Sequence, residues 1–362
     1  MAFPSIIGQK LPQDILSKAI ENNRVAHAYL FSGPEGTGKE AMAIDFAKAV
    51  FCTSLFAKPC RECSSCRRVG QFSHPDLIFV FPIPKSASVD EERAILEGMA
   101  KEPYARKKPW AAPAISIDRI RSIRKTSSIK PMEGRRVIVI AEADQMTIEA
   151  TNSLLKILEE PPDFTHLVLT TSKPNLLLPT ILSRCQEIRF FLLAPLEIEE
   201  ALLTKNIAPD QARLVSRIAQ GSYRRALEWL QEDLNARRNF VVDFLRICLK
   251  DQLAQIQFVE ETIQSFDKSE IKDILNLVLL WFRDALIMQN LAQHPEKIQE
   301  NIINIDQLET LTKFVNAFEY IDYDNIIPEL EKSIDYINRN LQLNLILLVL
   351  LTKFKAYMKL KK

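Results

Sequence analysis

The run GPEGTGKE at residues 33–40 has the residue types needed to bind the phosphates of a nucleotide. It fits the pattern GxxxxGK of a phosphate-binding loop through Gly33, Gly38 and Lys39, with Gly36 inside it. Glycines let the backbone amides curl around phosphates, and the lysine reaches the outer ones. We therefore expect a nucleotide-binding loop of the kind that accepts ATP or ADP. The alternative is a relic turn that packs the domain without a ligand.

The position after this lysine departs from the pattern. It should be Ser or Thr, whose hydroxyl binds Mg²⁺, but the residue is Glu40. A second departure follows the apolar run Val137–Ile140, where an Asp that helps to hold Mg²⁺ and a Glu that orients water normally stand. The chain has Ala141 and Glu142 there. These losses argue against Mg²⁺ binding in the usual geometry and against useful ATP hydrolysis, unless Asp144 or Glu40 compensates, and they leave binding of ATP or ADP in doubt.

Four cysteines form a second group with chemical potential. Cys52, Cys60, Cys63 and Cys66 follow the spacing CxxxxxxxCxxCxxC. Four thiolates at such spacing can close a tetrahedron around Zn²⁺, and no position stays open for a substrate. The cluster therefore predicts a structural zinc site. The alternatives are reduced thiols without metal or an iron–sulfur cluster.

Short apolar runs alternate with helical patterns in the first half of the chain. The runs indicate strands at Ala26–Ser32, Leu77–Phe81, Val137–Ile140 and Leu167–Thr170. The helical patterns lie at Lys39–Val50 and Thr147–Glu160. Continuous apolar strands that alternate with helices predict a parallel sheet covered on both faces. The phosphate loop then lies between a strand and a helix, as its function requires.

The rest of the chain has weaker strand signals. Short helices are expected over residues 196–230 around a turn at Gly221, and long amphipathic helices at Ile271–Ala292 and Leu330–Lys355. The stretch Pro82–Pro113 is rich in proline and charge. It predicts an extended loop or insertion.

Composition limits the classes of protein to consider. Hydrophobic residues make up 47% and charged residues 26% of 362 residues, which is typical of a globular protein with two or three domains. The net charge of +1 gives no strong overall attraction to nucleic acid. The apolar run Leu345–Leu351 is far shorter than the ~18 residues that indicate a membrane span, and Met1–Gln9 has no secretion signal. We expect no membrane association.

A more specific pattern begins at Thr151, where the chain reads TNSLLKILEEPP, and continues from Leu167 as LVLTTSKPNLLLPTILSRC. Together with IIGQ at residues 6–9, it resembles the clamp-loader subunits of bacterial DNA polymerase III, which are AAA+ ATPases. The resemblance implies an α/β AAA+ domain over residues 1–195 with a zinc module at 52–66. A helical lid domain at 196–235 and an all-α collar for oligomerisation at 236–362 would follow.

The resemblance also assigns roles to individual residues. Arg184, in the motif SRC, is similar to an arginine finger that acts in trans on the ATP site of a neighbouring subunit; the alternative is an ordinary salt-bridge arginine. Thr171 lies in the region called sensor 1, and Arg224, in GSYRRAL, resembles the sensor 2 arginine. Both would contact a nucleotide in the chain's own site.

A damaged ATP site combined with a retained finger resembles the delta-prime type of subunit. This implies a cytoplasmic, nucleoid-associated stator of the polymerase complex, with gamma or tau and delta subunits as partners and with the sliding clamp and primer-template DNA reached through the complex. One alternative is an active ATPase like gamma or tau. Another is a zinc-bearing nucleic-acid-binding module, for which the basic segment YARKKPW at Tyr104–Trp110 is the best candidate, although such a segment can equally be a solvated loop.

Overall fold

The computed structural model describes residues 3–110, 113–231, 234–291, 293–294, 298, 301–339 and 341–360. The chain divides into two compact units, Met1–Glu228 and Trp229–Lys362. The finer division into three domains, with borders at 195 and 235, stays a prediction.

The first unit is built on a five-stranded parallel sheet. Its strands are β1 (Ala28–Ser32), β2 (Leu77–Val80), β3 (Arg136–Ile140), β4 (Thr165–Thr171) and β5 (Gln186–Arg189), in the order β2-β3-β4-β1-β5. The four predicted strands and the parallel α/β class are confirmed. The edge strand β5 was not predicted, because Gln-Glu-Ile-Arg offers a single buried apolar side chain, Ile188.

Helices cover both faces of this sheet. Those before β4 are α1 (Lys10–Glu21), α2 (Lys39–Phe51), α3 (Ser64–Gly70), α4 (Val89–Lys101), α5 (Ile117–Ser127) and α6 (Ile148–Glu159). Further along the chain come α7 (Pro179–Leu182), α8 (Pro195–Leu203), α9 (Pro209–Ile218) and α10 (Tyr223–Gln231). The predicted set of short helices between 196 and 230 is therefore present. Because β1, β3 and β4 are parallel and in register, their carboxyl ends meet at one edge of the sheet.

One face of β3 and β4 packs against α5 and α6. The shared core contains Ile120, Ile138, Ile140, Leu154, Ile157, Leu167 and Leu169, all buried. Each such side chain contributes about 1.5–3 kcal/mol of burial free energy. On the other side, Phe46 of α2 meets Tyr29 of β1 edge-on, with ring centroids 5.4 Å apart. This packing fixes the position of α2, whose first residue is the lysine of the phosphate loop.

The prediction of an extended loop across Pro82–Pro113 is wrong over Val89–Lys101. The helix α4 lies inside it and begins with a capping box, in which Ser88 and Glu91 bind each other's backbone amides. The pattern Ser-x-x-Glu before a helical repeat was the signal that sequence reasoning overlooked. Residues 102–110 form no regular element, and residues 111–112 lie outside the described residues.

The second unit is mainly helical. It contains α11 (Leu234–Ile247), α12 (Gln252–Ser265), α13 (Lys268–Asn290), α14 (Leu308–Ala317), α15 (Tyr323–Asn338) and α16 (Leu343–Tyr357). The amphipathic stretch predicted at Leu330–Lys355 is helical but belongs to two helices, α15, which ends at Asn338, and α16, which begins at Leu343. A short antiparallel pair, β6 (Phe318–Ile321) with β7 (Met358–Leu360), adds to the predicted helices.

Buried charges join the helices of this second unit to its loops. Asp284 on α13 accepts hydrogen bonds from the backbone amides of Ile303 (3.1 Å) and Asn304 (2.8 Å). Arg238 on α11 binds both carboxylate oxygens of Asp306. Among the described residues, no helix is both long enough and apolar enough to span a bilayer.

Candidate nucleotide and metal sites

The phosphate loop connects β1 to α2 at the carboxyl edge of the sheet. Gly38 has φ +96°, and a Cβ there would lie 2.7 Å from the hydroxyl of Tyr104. Gly36 has φ +75°, and a Cβ there would lie 1.9 Å from the hydroxyl of Ser222. Only glycine therefore fits at these two positions, because both the backbone conformation and the close neighbours exclude a side chain.

Lys39 does not point into open space. Its Nζ donates hydrogen bonds to the carbonyl oxygens of Gly33 (2.7 Å) and Pro34 (2.5 Å), both in the loop itself. Burial lowers the pKa of Lys39 to about 8, and neighbouring carboxylates oppose this effect. The ammonium that usually meets the outer phosphates is thus bound to the loop's own backbone.

Glu40, the residue that replaces Ser or Thr, has a partner from a distant part of the chain. Arg106 grips its carboxylate with two hydrogen bonds, Nε to Oε2 at 2.8 Å and Nη2 to Oε1 at 3.0 Å. The same guanidinium lies 3.0 Å from Oε1 of Glu142. Burial raises the pKa of Glu40, but Arg106 outweighs it and holds that pKa below its ordinary value. One guanidinium therefore bridges position 40 and the acid after β3.

A second cation completes this cluster. The ammonium of Lys108 contacts both Glu35 in the loop and Glu142. Arg224 at the start of α10 also binds Glu35, with 2.8 Å from Nη1 to Oε1. Burial alone would raise the pKa of Glu35. The nearby cations Lys108 and Arg224 have the opposite and larger effect, so this pKa lies at about 2. The predicted sensor 2 arginine thus reaches the loop, where its partner is a carboxylate.

Tyr104 fills the apolar side of the same hollow. Its hydroxyl accepts a hydrogen bond from the backbone amide of Ile7 (2.9 Å), and its ring meets Tyr223 edge-on at 5.0 Å. Tyr104 and Arg106 are buried, whereas Lys107 between Arg106 and Lys108 is exposed. The segment thus alternates inward and outward side chains, as an extended chain does.

These groups leave a cavity of about 50 Å³ at the loop. Arg106 and Lys108 belong to the lining of this cavity. Of the predicted nucleotide-binding residues, Gly36, Gly38, Lys39, Glu40, Glu142, Thr171 and Arg224 line it. Gly33 does not line it but binds Lys39 through its carbonyl.

The edge beyond β3 and β4 is held by side-chain contacts. Thr171 donates from Oγ1 to Oδ1 of Asp144 at 2.6 Å, and Thr170 accepts from the amide of Glu142 at 3.1 Å. Glu142 has a left-handed backbone, with φ 52°. Asp144 therefore binds a threonine and does not line the cavity.

Arg184 lies just after α7, outside this pocket. Its Nη1 donates to the carbonyl oxygen of Thr180 (3.0 Å), and its Nη2 lies 3.1 Å from Oε1 of Glu159. The side chain is 36% exposed. It is thus a surface arginine with an intrachain partner, and both interpretations of the SRC motif are compatible with this geometry.

The four cysteines predicted to bind metal lie together at the end of α2 and the start of α3. Their sulfur atoms all lie within 4.8 Å of one another. Zn–S bonds of about 2.3 Å in a tetrahedron place sulfurs about 3.8 Å apart, so a small contraction would enclose the ion. These residues fit a closed, structural zinc site.

Backbone amides point at the sulfurs of this cluster. The amides of Cys60, Cys63 and Cys66 donate to the sulfurs of Cys52 (3.3 Å), Cys60 (3.4 Å) and Cys63 (3.4 Å) respectively. Burial raises the pKa of Cys63, but amides including that of Cys66 lower it to about 6, while burial raises the pKa of Cys66. Metal binding would displace the proton of Cys66, which points at the carbonyl of Lys48 (3.6 Å).

Glu133 fastens this cysteine module to the sheet. Its carboxylate accepts from Ser65 of α3 at 3.0 Å, contacts Arg68, and lies 3.0 Å from Nε2 of His74. His74 is buried and stacks on Phe51, with ring centroids 4.0 Å apart. The histidine near the cysteines is therefore an anchor of the module and not a ligand.

Sequence reasoning missed the role of Arg106 and Lys108. It considered them as possible DNA contacts, but both are bound to carboxylates around the phosphate loop. The sequence signal was partial, because an acid directly after the phosphate-loop lysine favours a nearby cation without identifying which one.

Comparisons with known proteins agree with the fold and the motifs. The family described as DNA polymerase III, delta subunit, matches residues 8–193. DNA polymerase III subunit delta' of Bacillus subtilis is 33% identical over 76% of this chain and 76% of its own length. The tau/gamma subunit of Haemophilus influenzae is 32% identical over 62% of this chain and 30% of its own length, so the chain spans about a third of that relative.

A solved structure also aligns along most of the chain. It is a gamma subunit-related protein of DNA polymerase III from Thermotoga maritima, 16% identical, with a TM-score of 0.41. The alignment covers 94% of this chain and 99% of that one. A TM-score this low adds nothing to the fold described above.

Proposed function

The chain belongs to the delta-prime family of DNA polymerase III clamp-loader subunits, and we propose that it serves in that assembly as a stator that does not hydrolyse ATP. One observation carries the proposal: a guanidinium bridges Glu40 and Glu142, the two positions around which Mg²⁺ would have to be held. Phosphoryl transfer in this class of site requires the metal ion to neutralise the phosphates. Arg106 supports the proposal because its guanidinium takes up the two carboxylates and would compete with the ion for them.

The second part of the proposal concerns Arg184. A planar, permanently charged guanidinium suits the charge that develops on a transferring phosphoryl group. Its partner Glu159 is half exposed, so this contact is worth at most about 1 kcal/mol and a stronger anion can displace it. We propose that Arg184 acts in trans on the ATP site of a gamma or tau subunit.

The remaining contacts follow from membership of the assembly. Delta and gamma or tau subunits are the proposed direct partners, through the proposed collar, and the sliding clamp and primer-template DNA are reached through the complex in the cytoplasm. Zinc is proposed to stabilise the cysteine module without taking part in chemistry. The nucleic-acid-binding alternative loses its best candidate segment, because Arg106 and Lys108 are already paired with carboxylates.

The finger is tested in a reconstituted complex. Arg184→Ala should leave assembly intact and lower ATP turnover at one site, by roughly 10³-fold if the arginine supplies what such fingers supply elsewhere. Arg189→Ala is the matched control, since Arg189 is an exposed arginine of β5 that pairs only weakly with Glu187 at 3.3 Å. Equal turnover of the Arg184→Ala and control complexes would contradict the assignment.

The absence of catalysis is tested on the isolated chain. With ATP and Mg²⁺ it should show no turnover above the background of a Lys39→Ala preparation. Turnover that Lys39→Ala abolishes would instead establish the alternative of an active ATPase like gamma or tau.

A further inference from the structure

We propose that residues 104–108 are an internal ligand that occupies the phosphate-loop pocket in place of a nucleotide and its metal ion, with Glu40 as its main acceptor. The inference rests on the proposed function and explains how the pocket can lack a nucleotide and stay folded. In this interpretation Glu40 is more than a lost hydroxyl. It is the residue that binds the chain's own segment.

The charges around the loop support this inference. Glu35, Glu40 and Glu142 bring three carboxylates to a place that normally holds anionic phosphates. Arg106 and Lys108, two residues apart in one short segment, form ion pairs with these carboxylates. Arg106 pairs with Glu40 and Glu142, and Lys108 pairs with Glu35 and Glu142. A planar fork with fixed donors can bridge two carboxylates, and it never loses its proton. The segment therefore supplies the positive charge that a divalent cation would otherwise bring.

Tyr104, the aromatic residue of the segment, is also packed into the pocket. Tyr104 packs against Gly38 and occupies the hydrogen-bonding capacity of the Ile7 amide. Its ring meets Tyr223 of α10. The segment thus contacts the pocket through every second residue, namely the ring of Tyr104 and the cations of Arg106 and Lys108, while Lys107 is exposed to solvent.

Residues 104–108 compete with a nucleotide for the pocket because they are part of the same chain. A nucleotide can enter only when the segment leaves, and a tethered segment competes at an effective concentration of about a millimolar or more. Removing the contacts that hold residues 104–108 in the pocket should therefore raise the affinity for a nucleotide, even without a new contact to the nucleotide.

The test opens the pocket in the full-length chain. The variant Glu40→Thr with Arg106→Ala removes both partners of the bidentate pair, so no buried charge of that pair stays unpaired, and it restores a hydroxyl. Fluorescent ADP with Mg²⁺ should bind this variant at least about 100-fold more tightly than the unchanged chain. Lys107→Ala, in the same segment but exposed, should bind as the unchanged chain does. A double variant with an unaltered circular-dichroism spectrum and no gain in affinity would overturn the proposal.

A second measurement needs no variant in the pocket. Brief acetylation followed by mass spectrometry compares two neighbouring lysines of the unchanged protein. Lys108, paired with Glu35 and Glu142, should react about 10-fold more slowly than Lys107, a difference of about 1.4 kcal/mol. Equal rates would mean that the segment is not seated. These outcomes are separate from the proposed function, which fails only if the unchanged chain hydrolyses ATP or does not assemble.

Discussion

Arg106→Ala should destabilise the first unit substantially. Arg106 is 4% exposed and its partner Glu40 19% exposed, so the change leaves a mostly buried carboxylate without two charge-assisted hydrogen bonds. Breaking a buried pair from one side costs about 3–5 kcal/mol. We expect about 3 kcal/mol, the low end, because Lys108 continues to neutralise Glu142. Glu40→Thr combined with Arg106→Ala should cost less than half as much, since neither charge of the pair remains.

Amide hydrogen exchange measures this cost locally, which matters because a chain with two compact units need not unfold in one step. Amides of β3 report global opening of the first unit. A loss of about 3 kcal/mol should accelerate their exchange about 150-fold. Lys107→Ala, a surface change, should stay within about 0.5 kcal/mol, or roughly twofold. If Arg106→Ala also stayed within twofold, the buried ion pairs described here would not hold the pocket together.

Two further predictions concern the metal and pH. Elemental analysis should find one zinc per chain, and Cys63→Ser should release it because three thiolates no longer close the tetrahedron; a metal-free native protein would refute this. The pKa of Glu35 falls from 4.5 to about 2 on folding, so its contribution is fully present above pH 4.5 and is lost as the pH falls towards 2. Glu35→Gln should therefore flatten the acid-unfolding profile in that window, and an unchanged slope would show that the cations do not act on Glu35.

The sequence predicted the sheet and the phosphate loop well, because both are written in local patterns. The short run Val137–Ile140 consists only of β-branched residues and therefore favoured a buried strand. The glycines at 36 and 38 allow a backbone that other residues rarely adopt. The spacing of the four cysteines likewise predicted that they lie close together, and their sulfur atoms do. Edge strand β5 was not, since a half-exposed strand has too few apolar residues to stand out.

What sequence reasoning could not supply was the pairing of distant charges. Glu40 and Arg106 are 66 residues apart, and nothing in local periodicity joins them. The interpretation of position 40 as a defect was therefore incomplete, because the compensating cation is visible only when the fold brings it close. The overlooked helix α4 is a different kind of miss, since its capping box was present in the sequence.

The bidentate contact between positions 40 and 106 also restricts how the sequence can drift. Changing Glu40 alone to threonine would leave Arg106 facing a hydroxyl, still bound to Glu142 and still in the pocket. Losing the arginine alone would strand a carboxylate in the interior. Neither substitution alone opens the pocket without a cost in stability, so the residues at positions 40 and 106 are expected to vary together. Relatives that have threonine at the position of Glu40 should therefore lack arginine at the position of Arg106.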